Sequence, residues 1–431
     1  MRSFAVAGRP VLHSQSPQIF RSYFEDFGLS CHYARLAADS AREAVDLFQD
    51  IGLNGLNVTS PFKKDILPLL DRLDPTAERI GAVNVIIREG DSLKGYNTDH
   101  LGVSGALDGR GLAVQGKKCL VIGAGGAGCA AAYALLKKGG EVTLLNRDIE
   151  KAAEAAVHLG CGSGGLAETD FYLERADIVV MTIPAGVISL EAYSWHPGQV
   201  LLAADYRNQA DEPFAAQKGL SFFGGEEWLK HQAIPSARLF LGESPPMERI
   251  DWAKAMSSAS PAIRENIALI GFMGAGKSRL GRELAARLNY DFVDSDDWIE
   301  HHAGKPVPEI IQGEGEAVFR KKEKEAIAEL TRRTKLVLAC GGGAVLDAAN
   351  RRCLAEHSLV IWIYASLMTT FSRIEIDRRP LLQHPRPFLH AGELFKQRLE
   401  YYTPCADLII GNERAAEQTV GRIYEEIRIS R

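Results

Sequence analysis

The fold of the first part of the chain is decided by the stretch Lys117-Lys-Cys-Leu-Val-Ile-Gly-Ala-Gly-Gly-Ala-Gly128, which continues as Cys129-Ala-Ala-Ala-Tyr-Ala-Leu-Leu-Lys137. Its apolar run predicts a buried strand over 118–122, the glycines predict a tight turn, and 129–137 is typical of a helix. Residues 119–136 carry no charge, which raises the question of a membrane span. Because glycines interrupt this run, we interpret it as a strand, a turn and a helix.

The turn has the GxGxxG spacing of a dinucleotide-binding loop, in its required place between a strand and a helix. Gly123 permits the tight turn, Gly125 lets the backbone approach a pyrophosphate, and Gly128 lets the helix pack closely on the strand. The helix N-terminus adds N–H groups for the anion. Glycine packing without a ligand is the alternative. The predicted cofactor loop comprises Gly123, Gly125, Gly126, Ala127 and Gly128.

The next predicted strand, 142–145, ends in Asn146 and Arg147, where NAD and NADP are usually distinguished. An acidic side chain there suits the ribose 2′-hydroxyl of NAD, whereas arginine suits the 2′-phosphate of NADP. Arg147 therefore favours NADP(H), with Lys151 one helical turn further on as a second cation. Asp148 would oppose a phosphate and leaves NAD open, and a solvated surface arginine is the alternative for Arg147.

Apolar runs alternate with helical patterns along the rest of the chain, which is typical of α/β folds with largely parallel sheets. Further strands are predicted at 178–182, 267–270, 336–339 and 360–364. The small, polar segment Met256–Ala262 contains a proline and predicts a linker. A second glycine-rich loop begins soon after it, so two phosphate-loop candidates lie on opposite sides of this linker.

That second loop, Gly271-Phe-Met-Gly-Ala-Gly-Lys-Ser278, is a complete GxxxxGK[ST] P-loop. Lys277 would reach the β and γ oxygens of ATP, and Ser278 would ligate Mg²⁺. Asp294 and Asp296 follow on the next predicted strand end and face the same side, so one can help to hold Mg²⁺ while the other orients an acceptor hydroxyl. A helix cap is the alternative for these acids. The predicted nucleotide-binding residues are Gly274, Ala275, Gly276, Lys277, Ser278 and Arg279.

The 431 residues carry 50 Lys plus Arg and 55 Asp plus Glu, a formal net charge of −5. The length predicts about two to four domains, and the charge argues against a nucleic-acid partner. Seven cysteines without a CxxC pair predict reduced thiols. The strand-like run Phe4–Gly8 leaves no room for a signal peptide. We expect a soluble, cytoplasmic protein with small-molecule ligands and no membrane partner, and its oligomeric state stays open.

Polar clusters upstream of the first glycine loop carry further chemistry. Ser14 and Ser16, in His13-Ser-Gln-Ser-Pro17, could donate hydrogen bonds to a carboxylate. Lys63 and Asp99 could form a pair that passes a proton while a hydride moves. Caps and turns are the commoner use of Ser, Asn and Asp and remain the alternative.

Residues 1–256 resemble the shikimate dehydrogenase family through HSQSP, NVTSPFK, AVN, YNTD, GAGGAG and NR, in the family's order and spacing. The resemblance implies a two-lobe α/β dehydrogenase with a Rossmann-type NADP domain, which reduces 3-dehydroshikimate to shikimate with NADPH. Lys63 and Asp99 would then be the catalytic pair. The segment around Tyr206 is shorter than the family's Asp-x-x-Tyr-x-Pro, and Asp148 replaces the family's usual Thr or Ser. The implied substrate-binding residues are Ser14, Ser16, Thr59, Asn84, Asp99, Tyr206 and Gln232, and the implied NADP-binding residues beyond the loop are Asn146, Arg147 and Lys151.

Residues 264–431 resemble the shikimate kinase family through GFMGAGKS, DSD, GEGEAVFRKKE, CGGGAV and RRPLL. The resemblance implies a P-loop kinase with a parallel sheet that phosphorylates shikimate with ATP and Mg²⁺. Asp296 would be the base or orienter of the acceptor hydroxyl, and Arg379 a lid arginine that stabilises the transferring phosphoryl group. Arg320, Gly342 and Arg398 would bind shikimate, Glu323 would position Arg320, Asp294 would help to place Mg²⁺, and Arg373 is the candidate for adenine stacking.

Both motif sets together predict a bifunctional enzyme of two consecutive steps of aromatic amino-acid biosynthesis. The predicted domains are a substrate-binding domain at 1–100 completed by 230–256, an NADP domain at 101–229, a linker at 257–263 and a kinase at 264–431. One alternative is a quinate or shikimate dehydrogenase that uses NAD. Another is a metabolite sensor that catalyses little, but such a sensor is expected to have lost a catalytic residue, and Lys63, Asp99, Lys277, Asp296 and Arg379 are all present.

Overall fold

The computed structural model describes residues 1–184, 187–205, 211–242, 250, 252, 264–375 and 380–430. The chain forms two compact units, of which the first comprises 1–53 with 253–431 and the second comprises 54–252. The predicted linker 257–263 lies outside the described residues. The predicted domain boundaries are placed by the family motifs and differ from those of the two compact units. They stay a prediction.

Strands and helices alternate along both units. The described strands are β1 (Arg2–Gly8), β2 (Cys31–Ala37), β3 (Gly55–Val58), β4 (Arg72–Leu73), β5 (Val85–Glu89), β6 (Ser92–Tyr96), β7 (Lys118–Ile122), β8 (Glu141–Asn146), β9 (Gly162–Gly165), β10 (Ile178–Met181), β11 (Val200–Ala203), β12 (Ser221–Phe223), β13 (Asn266–Ile270), β14 (Asp291–Asp294), β15 (Leu336–Ala339), β16 (Ser358–Tyr364) and β17 (Leu408–Gly411). The described α-helices are α1 (Ser16–Asp26), α2 (Ala41–Ile51), α3 (Pro75–Ile80), α4 (Asp99–Asp108), α5 (Gly126–Lys137), α6 (Ile149–Leu159), α7 (Thr169–Leu173), α8 (Asp211–Lys218), α9 (Gly225–Leu241), α10 (Lys277–Leu288), α11 (Ser295–Ala303), α12 (Val307–Glu314), α13 (Glu316–Leu330), α14 (Ala348–His357), α15 (Leu367–Ser372), α16 (Pro387–Cys405) and α17 (Ala416–Ser430).

The second unit contains a six-stranded parallel sheet in the order β12-β11-β10-β7-β8-β9. Strand β7 lies at the centre, and its residues 119–122 are buried because helices cover both faces of such a sheet. The order reverses between β7 and β10, which is the switch point where α/β sheets bind dinucleotides. The predicted strand–turn–helix is confirmed, and the uncharged run 119–136 is β7, a glycine turn and α5.

The second unit also contains a smaller set of strands that positions polar residues. β5 pairs antiparallel with both β3 and β6, and β4 pairs parallel with β6. Helix α3 begins after Asp74, whose carboxylate accepts a hydrogen bond from the Thr76 N–H, and ends at Gly81 in the left-handed region. These short elements present Asn57 and Asn84 beside the start of α4.

The first unit is built on parallel strands in the order β14-β15-β13-β16-β17-β2-β1. The kinase-like strands therefore form the parallel sheet that the P-loop motif predicts. Strand β17 pairs parallel with β2, with Leu408 opposite Arg35 and Ile410 opposite Ala37. Ser40 caps the start of α2 by accepting a hydrogen bond from the Glu43 N–H, and Gly52 in the left-handed region follows its last residue.

No helix of the described ranges is long and apolar enough to cross a lipid bilayer. The cores of the sheets are apolar, and the large side chains Trp362, Tyr402 and Phe272 are almost fully buried beside β13 and β16. All seven cysteines lie in described residues and form no disulfide.

Candidate active sites

The glycine turn after β7 has the backbone shape that close approach to a ligand requires. Gly123 has a φ of +114°, a region that L side chains rarely adopt. A Cβ at Gly128 would lie 1.7 Å from the carbonyl oxygen of Gly123, so no other residue fits where α5 packs on the turn. Around Gly125, by contrast, an added Cβ would meet nothing within 4 Å. The loop thus combines tight internal packing with an open face at its middle glycine.

The end of β8 lies beside this turn. The Ala124 N–H donates to Asn146 Oδ1 at 3.4 Å. Asp148 caps α6, because its carboxylate accepts a hydrogen bond from the Lys151 N–H at 3.2 Å, and Lys151 Nζ lies 3.3 Å from the same side chain. Hydrogen bonds from the Lys151 N–H and ammonium lower the pKa of Asp148. Arg147 is exposed, and no residue in the described ranges forms an ion pair with it.

Lys63 and Asp99 meet at the other side of the glycine turn. Lys63 Nζ lies 2.5 Å from Asp99 Oδ2, and the two side chains are only 16% and 7% exposed. The stem of Lys63 lies against the turn, since a Cβ added at Gly126 would be 2.7 Å from Lys63 Cβ. The neighbouring Lys64 donates to the Ala124 carbonyl at 2.9 Å. The predicted acid–base pair and the predicted cofactor loop are therefore adjacent within one unit.

A buried hydrogen-bond network orients the Asp99 carboxylate. Asn84 Nδ2 donates to Asp99 Oδ1 at 3.0 Å and lies 3.3 Å from Gln232 Oε1. The Thr98 N–H donates to Asn84 Oδ1 at 2.7 Å, and Thr98 Oγ1 lies 2.9 Å from Ser236 Oγ. Thr98 and Ser236 were not predicted as site residues. Thr98 belongs to the Asn97-Thr-Asp99 motif and Ser236 follows Gln232 by one turn of α9, so helical spacing was the available signal.

The remaining predicted substrate residues are distributed between the two units. Ser14 and Ser16 are buried in the first unit, where Arg35 Nη2 donates to the Ser14 carbonyl at 2.6 Å. Thr59 follows β3 in the second unit and is half-buried. Tyr206 lies outside the described residues.

A cavity of about 1040 Å³ opens at the carboxyl ends of the kinase strands. It brings together residues from several separate segments of the kinase region. The predicted residues that line it are Gly274, Gly276, Lys277, Ser278, Arg279, Asp294, Asp296, Arg320, Glu323, Gly342, Arg373 and Arg398. Ala275 is buried beneath the loop, where its carbonyl accepts a hydrogen bond from Asn412 at 2.7 Å. Arg379 lies outside the described residues.

The P-loop supplies cations and hydroxyls to one end of the cavity. Lys277 Nζ donates to the carbonyls of Gly271 and Phe272 at 2.9 and 3.0 Å. Ser278 Oγ donates to Asp294 Oδ2 at 2.5 Å, which places two hard oxygen atoms side by side. Asp294 also caps α11 by accepting from the Asp296 N–H at 3.0 Å. The structure therefore shows Asp294 as a helix cap beside the Ser278 hydroxyl, and the predicted Mg²⁺ site stays a prediction.

The cavity is also lined by arginines that lie close to the glycines after β15, since a Cβ added at Gly342 would be 3.3 Å from Arg398 Nη1 and one at Gly343 would be 2.6 Å from Arg320 Nη1. Arg320 Nη1 lies 2.9 Å from Glu323 Oε2, and Arg320 Nη2 lies 2.9 Å from Glu316 Oε1. Burial raises the pKa of Glu323, and Arg320 opposes that rise. For Arg320, burial lowers the pKa but the two carboxylates outweigh it, so the pKa is raised. Arg398 is 4% exposed and its Cζ lies 5.5 Å from the Phe272 ring centre.

Family models match both parts of the chain. The model described as shikimate dehydrogenase substrate binding domain matches residues 6–86, and that described as shikimate / quinate 5-dehydrogenase matches 108–195. The model described as shikimate kinase matches 273–428. The matched ranges contain Lys63, the first glycine loop at 123–128, and Lys277, Asp294 and Asp296 of the kinase region.

Individual proteins are similar over the same two regions. A shikimate dehydrogenase (NADP(+)) of Haloarcula marismortui is 35% identical over 260 residues, which are 58% of this chain and 97% of that relative. A shikimate kinase of Methylococcus capsulatus is 44% identical over 168 residues, which are 38% of this chain and 94% of that relative. The crystal structure of shikimate 5-dehydrogenase from Thermus thermophilus in complex with NADP(H) and shikimate is 30% identical, with a TM-score of 0.53 over 59% of this chain and 99% of that one. The chain therefore belongs to the shikimate dehydrogenase and shikimate kinase families, as a fusion of one member of each with both activities of the shikimate pathway.

Proposed function

We propose that the chain reduces 3-dehydroshikimate to shikimate with NADPH and then phosphorylates that shikimate with ATP to shikimate 3-phosphate. The two steps are consecutive, because the reduction creates the ring hydroxyl that the kinase step consumes. The observation that supports the proposal is a cluster of residues suited to the chemistry in each part. One is the Lys63–Asp99 pair beside the glycine turn, and the other is the P-loop cavity with Asp296.

In the reduction, NADPH supplies the hydride when it is bound at the Gly123–Gly128 turn. Lys63 donates a proton to the carbonyl oxygen as it becomes a hydroxyl. Asp99 holds the Lys63 ammonium at 2.5 Å and is itself held by Asn84, so the proton donor has a defined direction. The buried amide groups of Asn84 and Gln232 would bind the ring hydroxyls, and Ser14, Ser16, Thr59 and Tyr206 would complete the substrate site.

Arg147 would bind the 2′-phosphate of NADPH. The open face at Gly125 fits a pyrophosphate, and the exposed Arg147 guanidinium beside Asn146 offers two donors to a phosphate. Asp148 caps α6 and forms an ion pair with Lys151, and both contacts offset its charge beside the proposed phosphate site. For the same reason Lys151 would contribute less to the phosphate site than Arg147.

In the kinase step, Asp296 orients the acceptor hydroxyl and accepts its proton as the oxygen bonds to the γ-phosphorus and ADP leaves. Lys277 and Arg279 would hold the ATP phosphates, and Arg379 would stabilise charge on the transferring group. Arg320, braced by Glu323, and the buried Arg398 would bind the shikimate carboxylate, with Gly342 beneath the ring. The Ser278 and Asp294 oxygens fit Mg²⁺, which would neutralise charge on the phosphates.

A coupled assay tests the order of reactions. We expect the full chain, given 3-dehydroshikimate, NADPH, ATP and Mg²⁺, to form one shikimate 3-phosphate for each NADPH oxidised. Without ATP the product should be shikimate, because only the first step can proceed. Both products are measured by mass spectrometry. NADPH oxidation with no phosphorylated product in the complete mixture would contradict the proposal.

The cofactor preference is tested at the end of β8. Arg147→Ala should raise the KM for NADPH about 10-fold and leave the KM for NADH within about twofold, since only NADPH carries the 2′-phosphate that arginine pairs with. Lys151→Ala is the matched control, with a smaller expected effect because its ammonium already pairs with Asp148. Equal rates with NADH and NADPH in the unsubstituted chain would instead favour the NAD-using alternative.

A further inference from the structure

The C-terminal helix of the kinase region contacts the loop that carries the predicted substrate serines of the dehydrogenase. Glu426, on α17, accepts hydrogen bonds from the backbone N–H groups of Val11 and Leu12, each at 2.8 Å. Glu426 is 1% exposed, and Val11 and Leu12 are fully buried. A carboxylate buried this completely is favourable only when it is hydrogen-bonded, so this contact is a specific one.

The helix that bears Glu426 is held firmly against the N-terminal strands. One turn earlier, Arg422 Nη1 lies 2.8 Å from Glu43 Oε1 on α2 and 3.4 Å from Asp39 Oδ2. Its Nη2 donates to the Gly411 carbonyl at the end of β17 at 2.6 Å. Strand β17 in turn pairs with β2. The Glu426 side chain therefore projects from a helix that several buried contacts anchor to α2 and β17.

A short chain of hydrogen bonds leads from Glu426 to Ser14. The Val11 N–H donates to Glu426, and the Val11 carbonyl accepts a hydrogen bond from the Ser14 N–H at 2.9 Å. The Ser14 carbonyl is fixed by the fully buried Arg35, whose Nε and Nη2 donate at 3.1 and 2.6 Å. The Ser16 N–H donates to Ser14 Oγ at 3.4 Å. Loss of the Glu426 contact would leave two buried N–H groups unpaired directly before Ser14, and the loop would shift to satisfy them.

We propose that Glu426 is a positioning residue of the dehydrogenase, contributed by the kinase region, that sets the substrate loop through Val11 and Leu12. The inference rests on the proposed function, in which Ser14 and Ser16 bind 3-dehydroshikimate. It makes the affinity of the first enzyme for its substrate depend on the last helix of the second. Fusion of the two enzymes then has a structural consequence beyond the joining of two catalysts.

The test compares variants of the full chain. Glu426→Ala should raise the KM for 3-dehydroshikimate about 10-fold, with kcat and the KM for NADPH within about twofold, because only the substrate loop loses a support. Glu426→Gln keeps an acceptor oxygen and should raise that KM only about threefold. The matched control is Glu425→Gln, a half-exposed neighbour on the same helix whose carboxylate lies 3.6 Å from Arg9; it should change the KM by less than about twofold, because exposed ion pairs contribute little. The KM and kcat for phosphorylation of added shikimate should be unchanged in all three.

Two results would overturn the inference. One is a KM for 3-dehydroshikimate in Glu426→Ala equal to that of Glu425→Gln; if Glu426→Ala does not fold, Glu426→Gln decides by the same comparison. The other is a parallel loss of kcat, both KM values and kinase activity, which would indicate general destabilisation. Ser14→Ala distinguishes failure of the proposed function from failure of the inference. An unchanged KM for 3-dehydroshikimate in Ser14→Ala contradicts the proposed role of the serines. A raised KM in Ser14→Ala together with an unchanged KM in Glu426→Ala contradicts the inference alone.

Discussion

Lys63→Met is expected to lower kcat for reduction of 3-dehydroshikimate by about 10²–10⁴-fold, the range for loss of a positioned proton donor. Methionine keeps an unbranched stem against the glycine turn near Gly126, so the cofactor site should retain its shape. It removes the ammonium that lies 2.5 Å from Asp99. The KM for NADPH should therefore change little, and the loss should appear in kcat. The measurement is NADPH oxidation followed by absorbance under saturating substrate.

The second activity of the chain is the folding control for this variant. Phosphorylation of added shikimate should proceed at the unsubstituted rate, because Lys63 belongs to the second compact unit and the kinase cavity to the first. Asp99→Asn offers a second check, since asparagine fills the same space but cannot hold the ammonium by charge. If either change abolishes both activities in a folded protein, the two sites are not independent.

Lys277→Ala is expected to produce the reverse pattern, with kcat/KM for shikimate phosphorylation lowered by about 10²–10³-fold or more and the reduction unchanged. The lysine is the P-loop cation, and it lies in the cavity with Ser278 and Asp296. Asp296→Asn should lower kcat by about 10²–10⁴-fold without a comparable rise in the KM for ATP, because it removes the group that accepts the hydroxyl proton. ADP release in a coupled assay gives both constants.

Arg287→Ala is the matched control for Lys277→Ala, since Arg287 lies on the same helix, α10, but is 43% exposed and 4.0 Å from its only recorded ion-pair partner among the described residues, Glu417. It should leave both activities intact. Kinase activity retained in Lys277→Ala would contradict the assignment of the P-loop as the ATP site. A loss of activity in Arg287→Ala equal to that in Lys277→Ala would instead point to damage to the helix.

The glycine loops show what local sequence patterns predict well. The strand before each loop, the turn and the helix after it occupy a short, continuous stretch, so periodicity and glycine spacing describe them without knowledge of the rest of the chain. The structure confirms β7 at the predicted residues 118–122, and β15 at 336–339. Helix α5 begins at Gly126, three residues before the predicted residue 129, because the last residues of the glycine loop already form the first helical turn.

The hydrogen-bond network around Lys63 and Asp99 shows what local sequence patterns do not predict. Asn84, Thr98, Gln232 and Ser236 come from three segments, and the sequence indicates only that each is polar. Capping and turn chemistry account for such residues equally well until the fold brings them together. The same holds for Asp148, which opposes a phosphate when charges are simply counted. In the structure it is a helix cap paired with Lys151.

The sequence by itself determined the two families, both nucleotide loops and the acids and lysines of each site, because these depend on short spacings within one motif. Only the tertiary structure decided that β17 pairs with β2 and that Glu426 reaches the N–H group of Val11 across 415 residues. A hydrophobic period predicts that a strand or helix face is buried, but not which element covers it. An edge strand can pair with any suitable neighbour. That choice is made by the packing of the whole unit, and here it joins the end of the kinase to the substrate loop of the dehydrogenase.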